Sequence, residues 1–154
     1  MGLFKDEAPI LSPNSAIDEG LGIETSNGSK IVGSFEVVLN NLNATTAVSQ
    51  AFYIAPYPVE VVGIYDTYAV NSTSGNMIVE KTPASGNTAV GSGNNLMTAV
   101  SNWATNANNS VTTDTLVTTT SFLQLAKGDR LSAIFAGTKT GLIGGVVAVQ
   151  LKRI

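Results

Sequence analysis

From residue 31 onward, short apolar runs alternate with polar turns, and most of the runs have a period of two. Residues 34–40 (SFEVVLN) and 48–54 (VSQAFYI) are rich in β-branched and aromatic residues, and the polar stretch 41–46 separates them. After Pro56 and Pro58 comes the run VEVVGIYDTYAV at 59–70. Strict alternation there places Val59, Val61, Gly63, Tyr65 and Thr67 on one face and Glu60, Val62, Ile64, Asp66 and Tyr68 on the other. Residues 71–76 predict a turn, and 77–81 (MIVEK) a strand that closes a hairpin with 59–70. Residues 83–95, dominated by Gly, Asn, Ser and Ala, predict a long surface loop with flexible Gly91-Ser92-Gly93. Residues 96–104 fit either a helical turn or a strand, with Trp103 packed beneath that loop. A threonine-rich strand is expected over 112–121, extended by 122–125. Strands follow at 130–135 and 142–152, each after a Gly-containing turn. About eight strands with regular turn signals predict an all-β fold, a single antiparallel β-sandwich of jelly-roll type.

Residues 1–30 have a different texture. Pro9, Pro13, the glycines at 20 and 22, and Ser26-Asn27-Gly28-Ser29 break the segment repeatedly. Its apolar residues come in small separated groups, more of them than a solvated linker carries. The expectation is an extended N-terminal arm over 1–30 that orders on another protein, followed by a sandwich domain over 31–154.

Composition narrows the function. The chain has no His and no Cys, and 12% of its residues are charged, against about 25% in an ordinary domain. The usual general bases, nucleophiles and soft metal ligands are therefore scarce, and no cofactor or metal is expected. Nor does any run reach the ~20 apolar residues of a membrane-spanning helix. The first residues also lack the basic start and apolar core of a secretory signal. Charge is unevenly placed: Asp6, Glu7, Asp18, Glu19 and Glu24 face Lys5 alone in the arm, while the body is close to neutral. No basic patch marks a nucleic-acid surface, so neither nucleic acid nor membrane is expected as a partner.

The body carboxylates are Glu36, Glu60, Asp66, Glu80, Asp114 and Asp129. Each is expected on an exposed sheet face or in a turn, so no glycosidase-like pair is predicted. Lys127-Gly128-Asp129 predicts a turn in which Gly128 takes a positive φ and Asp129 bonds the nearby backbone. The aromatic set Phe52, Tyr53, Tyr57, Tyr65 and Tyr68 is expected in the core or on sheet faces, with a sugar-binding platform as the alternative.

Several segments of the C-terminal two-thirds carry a family likeness. They are VEVVGIYDTYAV at 59–70, MIVEK at 77–81, the GSG loop at 91–93, TLVTTT at 115–120, LAKGDRL at 125–131, FAGT at 135–138 and VVAVQLKR at 146–153. Together they resemble small tailed-bacteriophage virion proteins with a jelly-roll body, similar to capsid decoration, or cement, proteins. The resemblance implies a non-enzymatic homotrimer on the outer surface of the capsid, bound to the major capsid protein across capsomer junctions. It also implies an arm that reaches over the shell, for which Phe4, Pro9, Ile10, Leu11, Pro13, Ile17, Leu21 and Ile23 are the candidate contacts. The alternative is a tail or head-fibre appendage that binds a host receptor or glycan.

Overall fold

A computed structural model describes the backbone of residues 22–24, 30–85 and 88–154, and side chains from residue 33 on. In chain order the strands are β1 (Gly22–Glu24), β2 (Lys30–Val32), β3 (Ser34–Leu42), β4 (Gln50–Ile54), β5 (Val59–Thr67), β6 (Asn76–Thr82), β7 (Asn94–Asn95), β8 (Ser101–Asn102) and β9 (Thr112–Thr113). One helical turn, α1 (Thr120–Leu123), precedes β10 (Gln124–Leu125), β11 (Arg130–Ala136) and β12 (Gly145–Arg153).

Two antiparallel sheets face each other. One has the order β10-β5-β12-β3 with β9 also on β5; the other has the order β4-β11-β6-β7 with β8 also on β6. The pairs β3–β12, β4–β11, β5–β10 and β6–β7 are nested in sequence, as if one long four-layered hairpin had been rolled up. That wrapping is a jelly roll. Strand β1 pairs with β2 ahead of it.

Alternation along the main strands supplies the core. Val147, Val149 and Leu151 of β12, Leu131 and Ala133 of β11, and Met77 and Val79 of β6 are completely shielded from solvent. Each fully buried aliphatic side chain of this size contributes about 1.5–3 kcal/mol of hydrophobic stabilisation. Trp103 fills one end of the core, with its ring 5.6 Å from Tyr68 and 5.5 Å from Phe135.

The expected period along 59–70 slips once. Gln150 pairs with Gly63 but Leu151 pairs with Val61, so Val62 is an extra residue in a β-bulge. Beyond it Ile64, Asp66 and Tyr68 turn inward, while Gly63 no longer shares a face with Val61. The bulge sits at a glycine because the Tyr65 ring folds over it. A Cβ there would stand 2.6 Å from the Tyr65 hydroxyl. Gly63→Ala should push the ring aside and cost about 1–2 kcal/mol, read as a lower melting temperature.

Three further expectations change. The segments 59–70 and 77–81 do not form a hairpin, because β5 and β6 belong to different sheets and the chain between them arches across the core. Trp103 lies under that arch, not under loop 83–95: its N–H donates to the Gly75 carbonyl at 3.0 Å and its carbonyl accepts from Ser72 at 3.0 Å. The threonine-rich strand is reduced to β9, a Leu116–Met97 bridge and α1. The threonines at 118–120 are exposed and meet no neighbouring strand, so β propensity alone does not extend the sheet.

Candidate functional site

Of the arm residues, Phe4, Pro9, Ile10, Leu11, Pro13, Ile17 and Leu21 lie outside the described residues. Ile23 stands in β1, opposite Ile31 of β2. Strand β2 continues through Gly33 into β3, whose first residue pairs with Lys152 near the end of β12. The arm therefore joins the body at the end of the sandwich that carries the turns at 55–58, 83–93 and 126–129.

Two carboxylates organise those turns. Asp129 accepts from the Ala84 amide at 2.8 Å and the Ala126 amide at 2.9 Å, while its own carbonyl accepts from Ala55 at 2.8 Å. Gly128 has the expected positive φ of 91°. Lys127-Gly128-Asp129 is thus a turn that ties three loops together.

Glu80 was expected to be exposed but is 2% accessible. Its oxygens accept from the Gly91 amide at 2.6 Å and the Gly93 amide at 2.9 Å, so the loop lies over the outer face of β6. Arg130 adds a bond to the Thr88 carbonyl at 2.8 Å. Gly93 fits because a Cβ there would meet the Lys81 carbonyl oxygen at 2.4 Å. The Gly91-Ser92-Gly93 segment, read from sequence as flexible, is held at both glycines by a buried carboxylate. The sequence signal was available: a strand carboxylate followed by two glycines spaced two apart.

Asp66 is the second correction. The bulge in β5 turns it inward to 2% exposure, beside Asp114, Ser101 and Trp103. Both Asp66 oxygens, one Asp114 oxygen and the Trp103 indole nitrogen are sealed from solvent with no hydrogen bond of good geometry. Burial, opposed in part by hydrogen bonding from Ser101, Asp114 and Trp103, raises the Asp66 pKa. Burial, with the Asp66 charge added, pushes Asp114 up to about 7. Two carboxyls in this position are best satisfied by holding a proton between them, which makes one a donor and the other an acceptor. Asp66 is almost wholly covered, while Asp114 keeps partial solvent access. Glu36, by contrast, is exposed on β3, and Glu60 pairs with Lys152 at 3.0 Å, as a sheet surface allows.

Of the aromatic set, Tyr68 is core and donates its hydroxyl to the Asn106 carbonyl at 2.7 Å. Phe52, Tyr53 and Tyr57 are half-buried, with Phe35 6.4 Å from the Tyr53 ring and 6.5 Å from that of Tyr57. The Tyr53 hydroxyl is sealed without a partner, and burial, with Tyr57 nearby, pushes it up to about 12. Tyr65 lies on the outer face of β5, where a depression of about 310 Å³ is lined by Glu36, Tyr65, Asp66, Thr67, Val111, Val146 and Ala148.

Fold and surface together define a jelly-roll body of two five-stranded sheets with tied loops and apolar outer surfaces. No protein-family model matches the chain, and no curated protein matches it. Two solved structures similar to it are of infectious bursal disease virus, the Gt strain at 10% identity and the Gx strain at 9%, both with a TM-score of 0.36. They cover 86% of this chain, which spans only 37% and 36% of those chains. At these values neither likeness assigns a function.

Proposed function

We propose that the protein is a non-enzymatic virion structural protein, a decoration protein that binds the outer surface of a tailed-phage head and stabilises its capsomer junctions. The observation that carries this reading is how the body uses its carboxylates. Glu80 and Asp129 hold backbone amides, Glu60 pairs with Lys152, and Asp66, beside the half-buried Asp114, is turned inward against Trp103. Ionisable groups spent on holding loops suit a body that presents surfaces. The sequence likeness of LAKGDRL and VVAVQLKR to decoration proteins supports the same reading.

Attachment is assigned to the arm, with Phe4, Pro9, Ile10, Leu11, Pro13, Ile17, Leu21 and Ile23 as contacts on the major capsid protein. A homotrimer would present three arms, and multivalent attachment raises avidity without any stronger single contact. Removing residues 2–24 should abolish binding to purified heads while the β body keeps its circular dichroism spectrum. Undiminished occupancy of the heads by the truncated protein would overturn the assignment.

One observation favours a second reading, an appendage that binds a host receptor or glycan. The loops at the end opposite the arm are rich in Asn, Ser and Thr and bond one another, as in Thr73 to the Thr140 carbonyl and Asn71 to the Ala104 carbonyl. Cryo-electron microscopy of the parent particle separates the two readings. Regular knobs over the head support decoration; density confined to tail or fibre tips supports recognition.

A further inference from the structure

Residues 104–117 form a strap that crosses between the two sheets. It leaves the β6 side after β8, reaches β5 through β9, and returns toward β6, where Leu116 bridges Met97. Three backbone bonds hold it. The Asn109 amide donates to the Tyr68 carbonyl at 2.8 Å, that of Asp114 to the Ile64 carbonyl at 2.9 Å, and that of Val117 to the Leu96 carbonyl at 3.0 Å. Apolar packing adds little: no residue from 104 to 117 is fully buried, and Val111 is 69% exposed. Few buried apolar contacts and many exposed hydrogen bonds mark the parts of a fold that open most easily.

Under the strap lies the pair Asp66 and Asp114. Asp66 belongs to β5, which β12 holds along nearly its whole length, whereas Asp114 stands on the strap, one residue after β9. The two carboxyls therefore join a fixed strand to a weakly anchored one, with Ser101 and the covered Trp103 beside them. One proton between them gives each carboxyl a partner; without it, two negative charges face each other. Among the described residues nothing basic offsets the second charge. The nearby titratable groups are Tyr68 and Glu36, the latter lining the outer depression with Asp66. On β12, Lys152 pairs with Glu60 and Arg153 lies over the Tyr57 ring, toward the other end of the strand from Val147, the register partner of Asp66. On β6, Glu80 holds the Gly91 and Gly93 amides, and Lys81 bonds the Ser121 and Gln124 carbonyls. Lys139, beside Gly75 of the arch, contributes to the shift of neither carboxyl.

We propose that residues 104–117 are a pH-released strap, held shut over Trp103 while Asp66 and Asp114 share a proton and opening away from β5 more readily once both are ionised. When the strap lifts, Asp114 enters water, where an aspartate titrates near 3.9, against about 7 in the closed form. Between those values the closed form binds more protons than the open one, so opening becomes easier as the pH rises. Opening uncovers the Trp103 end of the core, and the device hides that apolar surface in acid and offers it above neutrality. The inference stands apart from the virion reading and does not depend on it.

Amide hydrogen exchange on the full chain at pH 6 and pH 8, each with and without low urea and corrected for intrinsic rates, tests the strap. The amides of Asn109, Asp114 and Val117 should lose about tenfold in protection between the two pH values, as release of about one proton requires. Their exchange should be insensitive to low urea, the mark of local opening, whereas exchange in β11 and β12 should depend on urea, the mark of global unfolding. Asp114→Asn, which cannot ionise yet still donates and accepts, should make strap protection independent of pH. Strap amides with the same urea dependence as β12 would show that the strap opens only with the whole fold, and would overturn the proposal. So would strap protection in the unmodified protein that does not change with pH, a result that needs no variant to fold. A full pH response in folded Asp114→Asn would also overturn it, by placing the titration elsewhere.

Discussion

Raising the pH from 5 to 8 is expected to weaken the fold by about 2–3 kcal/mol, opposite to the behaviour of most carboxylate-stabilised proteins. The cause is the buried pair Asp66 and Asp114. Both have pKa values raised in the folded state, Asp114 to about 7, whereas an unfolded aspartate titrates near 3.9. Between those values the native protein holds more protons than the unfolded chain, so each rise in pH favours unfolding. The stabilisation is complete below about pH 4 and is lost as the pH climbs through about 7. Burial and mutual repulsion are the main effects on Asp114, and no Lys or Arg contributes to the shift of either residue. One proton per unit of pH corresponds to about 1.4 kcal/mol, and the partial solvent access of Asp114 reduces the sum. Urea unfolding at several pH values measures it. The double variant Asp66→Asn, Asp114→Asn should flatten the profile. An unchanged slope in that variant would show that other groups carry the effect.

The second large effect is expected from Glu80→Ala, about 3 kcal/mol of lost stability concentrated in one loop. The carboxylate accepts from two backbone amides across the 83–95 loop and is itself buried. Hydrogen bonds to a charged acceptor contribute about 1.5–3 kcal/mol each. Truncation leaves both amides unmatched and opens a void over β6. Glu80→Gln should cost less, because its carbonyl oxygen still accepts one amide while its NH2 group cannot accept the other. Hydrogen exchange at Gly91 and Gly93 reads the change directly: fast exchange in the alanine variant, intermediate in the glutamine variant. Equal, slow exchange in all three proteins would mean that the loop is held by Arg130 and Asp129 instead.

Strands β12, β11 and β6 were legible because each is paired on both sides and buries one face. In β12 the alternation of Val147, Val149 and Leu151 with Val146, Ala148 and Gln150 matches the observed burial, and β11 and β6 read nearly as well. The turn at Gly128-Asp129 was legible for a local reason, since its geometry depends on those two residues. What misled the reading was non-local. Nothing within 59–70 marks the slip at Val62; it arises where Gly63 and the Tyr65 ring meet Gln150 of another strand. The burial of Asp66 follows from that slip. Glu80 looks like any outward strand carboxylate until a loop eleven residues later folds over it. The proposed arm contacts lie almost entirely outside the described residues, and only the register of Ile23 is seen.

The sequence by itself determined that this is an all-β sandwich with few ionisable groups, because strand alternation and composition are properties of neighbouring residues. Only the tertiary structure decided which strands share a sheet, that two aspartates meet in the core, and that the uncharged stretch from Val37 to Val59 forms a partly uncovered rim. Those outcomes depend on contacts between residues far apart in the chain, and a one-residue shift of register moves every side chain beyond it to the opposite face.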